Sequence, residues 1–139
     1  MKQNILVGRV IIEIKIAADK EAILFVTDQG EVIAKCGADC CSHTWIEHVE
    51  LPALGFPATV IQADNLDMNK DAQCDDEYEC LQFYGFKITT DKGEIVIDYR
   101  NESNGYYGGD LAWPDDYFYG GVWDQNISKE EWVKLDNDI

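Results

Sequence analysis

A mainly β fold, α+β only through two short helices, is predicted for this chain: two antiparallel three-stranded units packed as a sheet, a sandwich or an open barrel. Three observations carry that expectation. The segment Phe25-Val26-Thr27-Asp28-Gln29-Gly30-Glu31-Val32-Ile33 returns 63 positions later as Ile88-Thr89-Thr90-Asp91-Lys92-Gly93-Glu94-Ile95-Val96, with Thr-Asp-x-Gly-Glu-aliphatic shared. Val10, Ile12, Ile14 and Ile16 alternate against Arg9, Glu13 and Lys15, the period of a half-buried strand. Helix signals are scarce.

Taken in order, the alternating strand leads into the first hairpin, whose Gly30 can supply the positive φ that a tight turn with a bulge requires. Ser42 then offers an N-cap, and Trp45, Ile46 and Val49 fall on one face of a short helix over 42–50 that Pro52 would end. Thr59-Val60-Ile61 is a shorter equivalent of the first strand, and Gly93 closes the second hairpin. The chain is thus read as one domain, 1–139, with a first strand-hairpin-helix unit over 5–50 and a second strand-hairpin unit over 57–109. Between the strands of the second unit lies a polar insertion, 64–79, with seven acids against the single Lys70; long loops in compact domains are usually functional or disordered. After residue 110 comes an acidic, aromatic tail. In it Ser128-Lys129-Glu130-Glu131 forms a capping box, with Ile127 and Trp132 at the positions of a hydrophobic staple, which predicts a short helix over 129–135 docked through Trp132 and Leu135.

Charge divides the chain. The formal net charge is −16. Residues 1–60 hold 8 acids and 5 bases, a net of −3, and residues 61–139 hold 19 acids and 6 bases, a net of −13. Such a surface repels nucleic acid and anionic membrane and attracts basic protein surfaces or cations. No apolar run approaches the roughly 18–20 residues that cross a bilayer. Five cysteines (Cys36, Cys40, Cys41, Cys74, Cys80) and a start without a signal-peptide core predict reduced thiols in a cytoplasm.

Two clusters have the chemistry for metal. Asp67, Asn69, Asp71 and Asp75 match the first, third, fifth and ninth oxygen ligands of a calcium loop, but Ala72 replaces the turn glycine and Tyr78 stands where the bidentate acid belongs. Cys40, Cys41, His43 and His48 are all able to bind zinc, yet adjacent cysteines and histidines five apart suit a common site poorly. Both are read as structural, a solvated acidic loop and buried thiols, so no metal or other cofactor is expected. No phosphate-binding glycine loop, Gly-x-Ser-x-Gly elbow or His-Glu-x-x-His occurs, and a non-enzymatic role is expected.

Asp39-Cys40-Cys41-Ser42-His43-Thr44-Trp45 and Arg100-Asn101-Glu102-Ser103-Asn104-Gly105-Tyr106-Tyr107-Gly108-Gly109 together resemble a small uncharacterised family found in bacteriophage and bacterial genomes, over roughly residues 5–112. The resemblance brings no chemistry. It implies a small phage-type accessory protein, in a group where inhibitors of host defence are common.

The leading expectation is therefore an inhibitor that occupies a basic nucleic-acid-binding surface of a host defence complex, such as a CRISPR effector. Carboxylates at alternate strand positions lie roughly 6.5–7 Å apart, near the phosphate spacing of a nucleic-acid strand, and Glu94 and Asp98 have that alternation. Expected contacts are Asp64, Asp67, Asp71, Asp75, Asp76, Glu77 and Glu79 in the insertion, Glu94 and Asp98 on the strand, and Tyr106, Tyr107, Asp110, Trp113, Asp115, Asp116, Tyr117, Tyr119 and Asp124 in the glycine loop and tail. Two other roles are a sponge for a signalling nucleotide, with Arg100 and the 104–109 loop on phosphate and Tyr106 or Tyr107 on the base, and a metal-binding module or metal-dependent enzyme on the Asp67 loop.

Overall fold

The shared Thr-Asp-x-Gly motif organises the fold, and it does the same work twice. In a computed structural model that describes residues 5–38, 42–74, 79–103, 108–114, 117–118, 121–122 and 131–139, Thr27 Oγ1 donates to Gly30 O at 2.5 Å and Thr90 Oγ1 donates to Gly93 O at 2.6 Å. Gly30 and Gly93 close these turns at φ of 108° and 125°, a conformation glycine adopts without strain. Each aspartate then braces its hairpin to the first strand of its own unit. Asp28 exchanges two hydrogen bonds with Val10, at 3.0 Å through its N–H and 2.9 Å through Oδ1. Asp91 exchanges the same two with Thr59, at 3.1 and 2.8 Å.

In chain order the described strands are β1 (Val10–Ala17), β2 (Ala22–Thr27), β3 (Gly30–Ala38), β4 (His43–Glu50), β5 (Ala58–Leu66), β6 (Gln73–Cys74), β7 (Cys80–Thr90), β8 (Gly93–Ser103), β9 (Gly109–Ala112), β10 (Tyr117–Phe118), β11 (Gly121–Val122) and β12 (Trp132–Lys134). Ten of them make one antiparallel sheet in the order β4-β8-β7-β5-β1-β2-β3-β9, with β12 beside β1 and β6 beside β7; β10 and β11 pair separately. That order is symmetric about the short β1–β5 pairing, where Val10 faces Thr59. The first unit comprises β1 to β4 and the second β5, β7, β8 and β9. Their fourth strands are exchanged: β4 pairs β8 of the second unit and β9 pairs β3 of the first.

The sheet curls over a single main core rather than closing into a barrel. Trp113 is 2% exposed and lies between Phe25 of β2 and Phe86 of β7, with ring centroids 5.7 and 5.0 Å away. Equivalent inner strands of the two units thus face each other across one indole, and such aromatic packing contributes both area and ring–ring attraction. A smaller cluster of Ala17, Ala22, Leu24 and Ile33 is covered by Val26 and Trp132.

The mainly β expectation holds, and four details change. Residues 43–50 are strand β4, not helix. A bulge between Ile46 and His48 lets Thr44, Ile46 and Val49 all face the core, at 2%, 0% and 0% exposure, so a bulged strand imitates helical spacing. At the C-terminus Trp132–Lys134 is a strand on the edge of β1, while Ile127 and the capping-box residues 128–130 lie outside the described residues. A helix this short is marginal alone, and docking on an open edge supplies backbone partners: Leu135 N–H donates to Ile14 O at 2.9 Å. Trp132 and Leu135 do pack inward as expected. In β1 a bulge between Ile11 and Glu13 shifts the alternation, burying Ile11, Ile14 and Ile16 and leaving Ile12 50% exposed. β5 repeats this between Val60 and Gln62, with Ile61 60% exposed. Finally, Cys74 and Cys80, opposite each other on β6 and β7, form a disulfide, where reduced thiols were expected. Cys36 is a buried free thiol whose pKa burial raises far above its ordinary value.

Candidate interaction site

The described part of the insertion is partly strand. Residues 64–66 extend β5 and Gln73–Cys74 return along β7 as β6. Asp64, Asp67, Asp71 and Glu79 are exposed, as are Glu94 on β8 and Asp110 on β9. Asp98 is not: it is 7% exposed, with Oδ2 3.4 Å from the Arg100 guanidinium. Between Asp98 and the exposed Glu102, Arg100 occupies the same outward row of β8, so β8 presents no unbroken ladder of carboxylates. Trp113, expected at a partner contact, is instead central to the core. Its burial follows from the strand exchange, which delivers the end of β9 between the two halves of the sheet. Tyr117 lies on β10. Asp75, Asp76, Glu77, Tyr106, Tyr107, Asp115, Asp116, Tyr119 and Asp124 lie outside the described residues.

The two halves of the paired motif meet where the exchanged strands cross. Thr44 of β4 faces Asn101 of β8; Asn101 Nδ2 donates to Thr44 Oγ1 at 2.9 Å, and Thr44 Oγ1 donates to Gly37 O at 2.8 Å. Gly109 packs against the same pair. A Cβ there would collide with Thr44 Oγ1 and lie 2.9 Å from Asn101 Cβ, so only glycine fits. Outside this crossing Trp45, Arg100 and Phe83 form a row across three strands. Trp45 Nε1 donates to Glu47 Oε2 at 2.7 Å, and the Arg100 guanidinium stands 5.1 Å from the Phe83 centroid and 3.9 Å from Glu47 Oε1. The Trp45 hydrogen bond, aided by the Arg100 charge, holds the Glu47 carboxyl below its usual pKa.

These contacts bear on the other two roles. Arg9 donates Nε to Ile5 O at 2.8 Å and a terminal nitrogen to Gln29 O at 3.2 Å, locking the first hairpin. Arg100 is engaged by Asp98, Glu47 and Phe83. Arg100, expected on phosphate in the nucleotide role, is thus committed internally, as is Arg9. In the proposed calcium loop Asp67 Oδ1 accepts from Asn69 N–H at 2.8 Å, and Asp75 lies outside the described residues. His43 stacks on Trp45 at 5.2 Å and sits 3.5 Å from Glu21, whereas His48 Nδ1 is 3.2 Å from Ile139 O; Cys40 and Cys41 lie outside the described residues. No group of three metal-ligating side chains comes together among the described residues.

The structure does bring the two acidic regions together. Asp67 of the insertion and Asp110, where the tail departs, line one cavity of about 370 Å³ between the β5–β7 edge and β9. Tyr84 and Tyr99 stand stacked in its wall, centroids 5.3 Å apart. Burial, reinforced by the nearby Asp110 charge, raises the Tyr99 phenol far above its ordinary pKa. Met68 reaches the cavity across Gly85, where any Cβ would collide with its Sδ. Neither tyrosine stood out in the sequence, because both occupy apolar positions of ordinary strands. Counting back along the second hairpin from the Thr90–Gly93 pair, however, places Tyr84 opposite Tyr99.

An acidic, exchanged-strand β sheet of this kind defines a scaffold before it defines a function. A family model described as Domain of unknown function (DUF7448) matches residues 4–113, and the chain belongs to that family. No curated protein and no solved structure matches it.

Proposed function

We propose that this is a non-catalytic, phage-type binding protein that inhibits a host defence protein, such as a CRISPR effector, by occupying its basic nucleic-acid-binding surface. The observation that carries the proposal is the convergence of Asp67 and Asp110 on one cavity, which joins two acidic regions distant in sequence into one presented surface. The insertion also carries Asp64, Asp71 and Glu79, all exposed. A concentrated negative field steers a basic partner and speeds its encounter. Recognition here does not use a carboxylate ladder along β8, since Asp98 is withdrawn; the insertion and cavity rim supply the charge instead. Action in the host cytoplasm belongs to the same proposal.

The test is displacement. Purified CRISPR effector complexes are loaded with fluorescent target nucleic acid and titrated with this protein at low and at high salt. The expected result is release of the nucleic acid by at least one effector, weakening steeply as salt rises. Failure to displace it from any effector at low salt contradicts the proposal.

A further inference from the structure

The two units differ in what pairs with the outer edge of their first strands. On β1 the chain itself fills that edge: β12 runs antiparallel to it, with Trp132, Val133 and Lys134 opposite Ala17, Ile16 and Lys15. Leu135 N–H donates to Ile14 O and Ala18 N–H donates to Glu131 O, both at 2.9 Å. Backbone groups of an antiparallel strand point to alternate sides, so Ile14, Ile16 and Ala18 are the residues that face β12.

Counted from the braced positions Val10 and Thr59, β5 follows β1 residue for residue. Both strands bulge at the same place, with Ile12 and Ile61 turned outward. Ile14 then corresponds to Ala63, Lys15 to Asp64, Ile16 to Asn65 and Ala18 to Asp67. At the start of this edge Val60 is paired, its O accepting from Gly8 N–H at 3.0 Å and its N–H donating to Arg9 O at 2.9 Å. Beyond Val60 no strand pairs with it among the described residues. Ala63 and Asn65 therefore direct backbone groups away from β7 with no strand there to receive them. Such a row is a template for an added strand. A bulge and a charged side chain can blunt an edge, but the same bulge on β1 does not keep β12 away.

The side chains along the edge define what that strand carries. On β1, Glu13 bridges Lys15 and Lys134 at 3.4 and 3.7 Å, which lets a lysine stand opposite a lysine. On β5 the counterparts are Gln62, whose amide donates to the Asp64 carboxylate, and Asp64 itself, opposite which a basic residue pairs directly. Ala63 is buried and Asn65 exposed, so an apolar residue suits the first and a polar residue the second. A second copy of the chain would bring its own formal net charge of −16, and self-repulsion opposes it. We infer that the 63–66 edge of β5 is a docking site for an extended segment of a partner protein, which joins the sheet as an antiparallel strand with a lysine or arginine opposite Asp64 and an apolar residue opposite Ala63. Because backbone hydrogen bonds make the contact, it goes beyond the acidic surface proposed above and does not depend on it.

The test uses a short peptide of that pattern, acetyl-Ser-Val-Thr-Lys-Leu-Ser-amide. Isotope-labelled protein is titrated with it, and the backbone amides of Ala63 and Asn65 are followed by NMR. A second peptide keeps every side chain but is N-methylated at Thr and Leu, whose N–H groups would donate to Asn65 O and Ala63 O; a third has Glu in place of Lys. Expected are saturable shifts at both amides with the first peptide, binding at least about tenfold weaker for the N-methyl peptide, and about fivefold weaker for the glutamate peptide. Asn65→Pro removes an outward N–H while sparing the bonds to β7, and should abolish binding of the first peptide with the amide spectrum outside β5 in place. In the free protein the Asn65 amide should exchange with solvent much faster than that of Ile16, which β12 covers. Equal protection of the two would show that the chain fills this edge itself and overturns the inference. So do absence of saturable shifts, equal binding of the N-methyl peptide, indifference to Asn65→Pro, or shifts at these amides that follow the concentration of the protein alone, which would assign the edge to a second copy.

Discussion

The two units of this sheet are alike in their strands, hairpin braces and bulges and differ in the acidic surface they carry. Each has a first strand braced by a hairpin aspartate, a bulge that turns one isoleucine outward, and a fourth strand given to the other unit. In the first unit β1 and β2 are joined by the tight turn 18–21. In the second, the same connection is the acidic insertion with its own short strand and disulfide. Where the second unit has Tyr84 and Tyr99, the 63-residue correspondence gives the first Glu21 and Cys36. Its Cys36 is buried in the core, with no counterpart of the stacked tyrosines. Architecture therefore resides in what the units share, and the function proposed above rests on the departure of one from the other.

That contrast can be broken at several points. The largest effect belongs to Trp113, which serves both units. Trp113→Ala should cost about 3–5 kcal/mol, read by urea unfolding; a loss near zero would return this side chain to the surface. Next is the crossing of the exchanged strands, where Gly109→Ala should cost about 1–3 kcal/mol by overpacking against Thr44 and Asn101, seen as a lower denaturation midpoint. Smaller again are the braces. Asp28→Ala and Asp91→Ala should each cost about 0.5–1.5 kcal/mol, and by nearly equal amounts; a large inequality would deny that the hairpins are equivalent. Smallest is Glu47→Gln, followed by thermal melting against pH. Because the folded carboxyl titrates below its unfolded value, its contribution is present above the unfolded pKa and is lost as pH falls through the folded one. The variant should melt slightly below the parent at neutral pH, and the two should converge below about pH 4.

The parts of this fold legible in the sequence were those set by local chemistry. Thr-Asp-x-Gly needs only its own four residues to close a turn, so both hairpins and their likeness could be read directly. A bulge is a single added residue with no composition of its own. That is why strict alternation places Ile14 and Ile16 of β1 correctly but exchanges Ile11 and Ile12, and why β4 reads as a helix, although its Thr44, Trp45, Ile46 and Val49 have the β-branched and aromatic character of a strand. The exchange of fourth strands is wholly non-local, and with it went the role of Trp113. Of the cavity, Asp67 and Asp110 stand out in the sequence by their charge, and counting along the second hairpin pairs Tyr84 with Tyr99. Their meeting depends on the insertion folding back beside β9, which no short-range pattern encodes.

The central claim, that contact belongs to the second unit's acidic cavity and not to net charge, is tested most directly by two matched charge reversals. Asp67→Lys with Asp110→Lys alters the cavity rim, while Glu31→Lys with Glu50→Lys makes the same change in charge on exposed positions of the first unit. Binding of a hexa-arginine peptide at fixed salt should fall about tenfold more for the cavity pair than for the first-unit pair, a difference of about 1.4 kcal/mol. Equal losses from the two pairs would show that only total charge matters and would contradict the account.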